Sequence, residues 1–176
     1  MTLLSAVVAQ LRAESIPHAI IGAAALSAHG ISRASGDIDL LTTDQRCLAA
    51  AAWAPLAGVC HVDIRKGDVE DPLAGVVRFA RDRELDVDLV VGRSPWQADC
   101  VRRASAMTAD QIPVVGLVDL ALLKLYAGGP QDAWDIQQIL ALPEASALVD
   151  IVETRLAPLP RAATDLWRRI LRERRG

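Results

Sequence analysis

Ser35-Gly36-Asp37-Ile38-Asp39-Leu40-Leu41 is the stretch on which the fold turns. In a strand, residues two apart share a face. Asp37 and Asp39 therefore project side by side, while Ile38 and Leu40 enter a core. Adjacent carboxylates repel unless something neutralises them, and a hard divalent cation with oxygen ligands does this well. Glu84-Leu85-Asp86-Val87-Asp88-Leu89-Val90-Val91 repeats the pattern. If the two strands are neighbours, an acid of the second completes a three-carboxylate cluster. Such a cluster can hold two Mg²⁺ ions that also grip a nucleoside triphosphate. A second reading stays open: acids that merely solvate a sheet edge and guard it against pairing.

The flanking residues extend the pattern. Upstream, residues 18–21 form a short apolar strand closed by Gly22, and 23–29 form a small-residue helix stopped by Gly30. A glycine at a strand-to-helix turn lets backbone N–H groups face a phosphate chain, or it serves close helix–sheet packing. Arg33 can bind phosphate or neutralise Asp37. Residues 2–14 carry Leu4, Val7, Val8 and Leu11 at helical spacing. A helix is expected over 44–53, a strand over 59–64 and a charged loop over 66–72. Strands follow at 76–79 and 85–91, joined by a hairpin turn at 81–84. A helix at 95–103 leads to a short connection through Ala106 and Val114 with one edge strand.

From Val118 onward the pattern is helical, with four helices: one broken at Gly128-Gly129-Pro130, then 132–140, 145–154 and 164–175. The organisation is an α/β core over 1–115 and a C-terminal helical region over 116–176 packed on it. Tyr126 and Trp134 sit at helical positions and read as core.

Composition narrows the function. Of 176 residues, 52% are hydrophobic and 23% charged, which argues for an ordered core. Aromatics are 3%, too few for a platform that stacks single-stranded bases. The net charge of −3 excludes a uniformly basic nucleic-acid binder. A local basic block remains: residues 161–176 hold six arginines and two acids. It fits either a solvated last helix or a contact to an RNA phosphate backbone. Only Lys66 and Lys124 are lysines. Cys47, Cys60 and Cys100 form no CxxC pair, and His18, His29 and His61 lack metal-ligand spacing. Reduced thiols, no signal-peptide pattern and no apolar run of membrane-spanning length point to a cytoplasmic protein without a membrane.

Gly22-Ala23, Leu26, His29-Gly30, Arg33 and Ser35-Gly36-Asp37-Ile38-Asp39-Leu40-Leu41, taken together, resemble the nucleotidyltransferase superfamily with the polymerase-β-like fold. The stretch Val118-Asp119-Leu120-Ala121-Leu122-Leu123-Lys124-Leu125-Tyr126-Ala127-Gly128-Gly129-Pro130-Gln131-Asp132-Ala133-Trp134-Asp135-Ile136 narrows the likeness to a stand-alone bacterial group that includes the AbiEii-type toxins. The resemblance covers most of residues 18–140. It implies an α/β (α+β) mixed sheet flanked by helices, with a C-terminal helical segment. It also implies Mg²⁺- or Mn²⁺-dependent transfer of a nucleoside monophosphate from an NTP to a hydroxyl of an RNA (tRNA among them), a protein or a small molecule. A cognate toxin–antitoxin partner belongs to the same expectation.

By position, Asp37 and Asp39 match the metal-binding pair and Asp88 the third acid, with Asp86 second choice. Gly22 matches the first residue of the phosphate-binding turn and Ala23 the next; Arg33 and Lys124 are expected at the nucleotide. For Lys124 an ion pair with Asp132 or Asp135 is the other reading. The family has Ser or a second Gly where this chain has Ala23, so a hydroxyl contact is missing. That departure supports an alternative: a catalytically weakened module of the same fold, binding nucleotide or a partner protein.

Overall fold

The computed structural model describes residues 1–108 and 110–175. It divides into two compact units, Met1–Val115 and Gly116–Gly176.

The first unit is built on a mixed seven-stranded sheet. Its strands are β1 (Ala19–Ile20), β2 (Asp37–Thr42), β3 (His61–Lys66), β4 (Leu73–Ala80), β5 (Asp86–Gly92), β6 (Ser105–Ala106) and β7 (Pro113–Val114), in the order β3-β4-β5-β2-β1-β7-β6. β2 runs parallel to β5, and β1 parallel to β7; the other pairs are antiparallel. The hairpin expected at 81–84 joins β4 to β5. Alternation sorts the faces. Leu40, Val77, Phe79, Val87 and Leu89 are fully buried, while Asp37, Asp39, Arg78 and Asp86 stand on the other side, partly open to solvent.

Helix α1 (Leu3–Ala13) packs against the sheet through Leu3, Val7 and Leu11, all fully buried. Each such side chain contributes roughly 1.5–3 kcal/mol by leaving water. Thr2 caps α1, accepting from the Ser5 N–H. The Leu3 N–H donates to Glu84 Oε2 at 2.6 Å, tying the helix start to the β4–β5 turn. That contact, with Arg81 beside it, holds the Glu84 carboxyl below its usual range.

Two local expectations fail in this unit. The helix expected over 44–53 is instead a pair of 3₁₀ segments, Gln45–Leu48 and Ala50–Leu56. Ala49 is extended between them, at φ −101° and ψ 128°. The Trp53 indole N–H folds back to donate to the Cys47 carbonyl at 2.8 Å, and its ring meets Phe79 edge-on at 4.7 Å. A regular α-helix would turn that indole away. The single edge strand expected through Ala106 and Val114 is two short strands, β6 and β7, paired antiparallel. Helices α2 (Gly22–Ala28) and α3 (Pro95–Arg103) complete the unit.

The second unit contains α4 (Leu117–Ala127), α5 (Pro130–Leu140), α6 (Ala145–Arg155) and α7 (Arg161–Arg175). Gly128 ends α4 in the left-handed region, at φ 70°. The Gly129 N–H then donates to Asp132 Oδ2 at 3.1 Å as α5 begins. Trp167 and Ile170 of α7 are buried, whereas its arginines at 168, 169, 172 and 174 face solvent. Trp134, expected in the core, is 44% exposed: α5 turns Ile136 and Ile139 inward and leaves the indole outside. Among the described residues, no helix is long and apolar enough to cross a membrane.

Candidate metal centre

Parallel pairing of β2 with β5 sets Asp37 beside Asp86 and Asp39 beside Asp88. The two Asp-x-Asp strands thus lie in register, and their acids share one face of the sheet. One carboxylate oxygen from each of Asp37, Asp39 and Asp88 falls within 4.8 Å of the others. Asp86 stands on the same face but outside this group. Two oxygens on one octahedral Mg²⁺ lie at most about 4.2 Å apart. Small rotations, or division between two ions, close the difference. Three hard oxygen donors suit Mg²⁺ or Mn²⁺ and do not suit a thiophilic metal.

Each acid is positioned by its surroundings. Ser35 Oγ donates to Asp37 Oδ1 at 2.6 Å. Asp39 is set by the backbone next to it: the Ile21 N–H donates to the Asp39 carbonyl at 2.9 Å, which brings the start of α2 against β2. Gly22 has φ +63°, and a Cβ at that position would lie 2.1 Å from Asp39 Oδ2. Only glycine accepts both the left-handed backbone and the approach of the carboxylate. The role of Gly22 visible here is therefore to leave room for Asp39. Ala23 follows it, buried in α2.

Asp88 is buried, and both its oxygens are engaged. Arg78 Nε donates to Oδ1 at 2.7 Å and Nη2 to Oδ2 at 2.5 Å. The pair is cross-strand, Arg78 of β4 standing opposite Asp88 of β5. The carboxylate raises the Arg78 pKa above its already high ordinary value, with Asp86 and Asp37 adding to the effect. A row Asp63–Arg78–Asp88–Asp39 thus crosses four adjacent strands. Beside it opens a cavity of about 370 Å³, lined by Asp63, Arg65, Lys66, Val76, Arg78 and Asp88. Arg65 pairs with Asp63 at 2.9 Å.

Arg78 was not among the residues singled out from sequence. A signal was present: counting outward from the 81–84 turn brings the residue before Phe79 opposite the second acid of the following strand. Arg33 is half-buried in the segment that leads into β2. His29 Nε2 lies 2.8 Å from the Val115 carbonyl, fastening the end of α2 to the chain beyond β7. In the second unit, the Lys124 ammonium sits between Asp132 Oδ1 at 2.9 Å and Asp135 Oδ2 at 2.7 Å. The ion-pair reading of Lys124 is thus realised, with both acids. The cysteines are free thiols; Cys47 and Cys100 are buried and Cys60 is partly exposed. Burial pushes the Cys47 thiol up to about 12.

The chain has the polymerase-β-like nucleotidyltransferase fold, a mixed sheet with C-terminal helices, and carries an acidic cluster on it. One similar structure is a Thermotoga maritima protein provisionally named a nucleotidyltransferase, 17% identical with a TM-score of 0.56 over 79% of this chain and 91% of that one. Another is the antibiotic-resistance factor ANT(2'')-Ia, 14% identical with a TM-score of 0.56 over 88% and 91%. The same factor in complex with adenylyl-2''-tobramycin superposes at a TM-score of 0.54 and 12% identity, over 87% of this chain and 96% of that one. No protein-family model matches the chain, and no curated protein matches its sequence.

Proposed function

We propose that this chain is a divalent-metal-dependent nucleotidyltransferase, moving a nucleoside monophosphate from an NTP to a hydroxyl acceptor. The acceptor oxygen forms a bond to the α-phosphorus, the bond from that phosphorus to the bridging oxygen of the β-phosphate breaks, and pyrophosphate leaves. The observation that carries the reading is the meeting of Asp37, Asp39 and Asp88 oxygens within 4.8 Å on two parallel strands. Asp37 and Asp39 would hold Mg²⁺ or Mn²⁺ with Asp88, and Asp86 is a reserve ligand next to Asp37. When bound, such ions neutralise the triphosphate charge and lower the pKa of an attacking hydroxyl.

The chain's own groups do the rest. Asp88 would take the acceptor proton once an oxygen is released from Arg78. Gly22 and Ala23 would meet the triphosphate through backbone N–H alone, and Arg33 would add a positive charge. Lys124 is also read as a nucleotide contact from the sequence resemblance; its pairing with Asp132 and Asp135 supports a structural role. The acceptor is an RNA such as tRNA, a protein or a small molecule, and the adenylyl-2''-tobramycin held by ANT(2'')-Ia makes a small-molecule hydroxyl as natural a choice as an RNA. The AbiEii-type grouping, a cognate toxin–antitoxin partner and a cytoplasmic setting rest on the sequence alone.

A second reading is favoured by Ala23 and by the occupied Asp88: a module that binds nucleotide without turning it over. Incubation with each α-³²P-NTP, Mn²⁺ or Mg²⁺ and cell extract separates the two. The transferase reading expects a labelled species that disappears with chelator and falls at least about a thousandfold with Asp39→Asn, as expected when metal charge stabilisation is lost. Nucleotide-induced thermal stabilisation without transfer supports the binding module. Neither effect sinks both readings.

A further inference from the structure

The strand next to the acids, β4, carries a cation aimed at them. We propose that Arg78 is the resident counter-ion of the carboxylate site: it holds Asp88 in the metal-free protein and yields it when a divalent cation binds. Arg78 thereby sets the affinity of the site for metal. It is a positioning residue, acting through Asp88, and the inference rests on the metal reading above.

Geometry and exposure carry the argument. The two hydrogen bonds, at 2.7 and 2.5 Å, engage both Asp88 oxygens, so a cation that ligates either oxygen meets the guanidinium charge beside it. The partners differ in freedom. The Asp88 side chain is 12% exposed and fixed on a central strand, whereas the Arg78 side chain is 45% exposed. The guanidinium has water and a cavity of about 370 Å³ to swing into on a long side chain, whereas the short Asp88 side chain stays close to its strand. Without a cation, three carboxylates within 4.8 Å and a fourth, Asp86, beside them would repel strongly. Arg78 relieves that repulsion in the empty protein, and a divalent ion relieves it better. Cation and arginine therefore compete for one carboxylate, and competition at a shared group is a coupling of binding free energies.

The test is a Mn²⁺ titration of the full chain, followed by electron paramagnetic resonance at fixed ionic strength. The proteins are wild type, Arg78→Gln, Arg78→Lys and Arg65→Gln. Arg78→Gln is expected to bind Mn²⁺ about tenfold more tightly, a typical size for such coupling. Arg78→Lys should fall between it and wild type, because an ammonium is a point charge without the bidentate fork. Arg65→Gln removes the same charge from the same cavity but touches Asp63, and should shift affinity less than twofold. In chelator Arg78→Gln should melt below wild type, and saturating Mn²⁺ should raise its Tm by more. Wild-type binding with unchanged or weaker affinity in Arg78→Gln overturns the counter-ion role and leaves the metal reading standing. No Mn²⁺ on either protein removes both.

Discussion

Two places in this molecule set a cation against clustered acids, and they differ in what surrounds the cation. In the helical unit, Lys124 lies between Asp132 and Asp135 with its side chain 10% exposed and that of Asp135 fully buried. On the sheet, Arg78 grips Asp88 with its own side chain 45% exposed. The first arrangement is largely shut off from water at Lys124 and Asp135 and locks α4 to α5 across the Gly128-Gly129 break. The second has its cation side open to water. Charge pairing alone thus says little about role; exposure of the cation separates a lock from a latch.

The comparison breaks most readily by removing the two cations in turn. Lys124→Met should cost about 3–5 kcal/mol in denaturant unfolding, because it strands the buried Asp135 charge. Arg78→Met should cost less, about 1–3 kcal/mol, because it strands the buried Asp88 carboxylate at a site partly open to water. Equal losses would erase the distinction. A third change is Gly22→Ala, which forces a side chain to φ +63° and into the Asp39 carboxylate. It should cost about 1–3 kcal/mol of stability and weaken Mn²⁺ binding by displacing Asp39, whereas Gly128→Ala, with only Leu125 O at 3.7 Å, should leave Mn²⁺ affinity unchanged.

His18 sharpens the contrast from the other side, as a buried titratable group without a counter-charge. Its Nδ1 lies 2.8 Å from the Ile16 carbonyl, and Nε2 has no hydrogen-bond partner. Burial holds its pKa below the ordinary 6.5, against a smaller opposite effect of the Ile16 contact. A depressed histidine pKa means the unfolded chain binds the proton more readily. Its contribution to stability is therefore flat above about pH 6.5 and falls as pH drops below it. Melting curves between pH 7 and 5 should show that fall, and His18→Gln should flatten it.

Much of the site was legible because strand periodicity is local. The alternation Asp37-Ile38-Asp39-Leu40 decides the face of each side chain without reference to the rest of the fold. The same rule reads Asp86 and Asp88. What alternation does not give is register, and register is where Arg78 enters: its partner is fixed by the β4–β5 hairpin. The closeness of Gly22 to Asp39 is likewise a contact between elements, invisible to any window along the chain. The 3₁₀ segments at 45–56 escaped because apolar spacing suits a helix there, while the bond from Trp53 to the Cys47 carbonyl requires a break at Ala49. Trp134 misled through composition: in an aromatic-poor chain an indole reads as core, yet aliphatic residues fill that role on α5.

The central claim is that Asp37, Asp39 and Asp88 form one divalent-metal site from which Arg78 withdraws. Crystals grown with Mn²⁺ and a non-hydrolysable NTP, measured at a wavelength where manganese scatters anomalously, test it most directly. The account predicts anomalous peaks within about 2.2 Å of oxygens from all three carboxylates, with Arg78 no longer bidentate on Asp88. Density without manganese among these acids, and Arg78 still seated on both Asp88 oxygens, would contradict it.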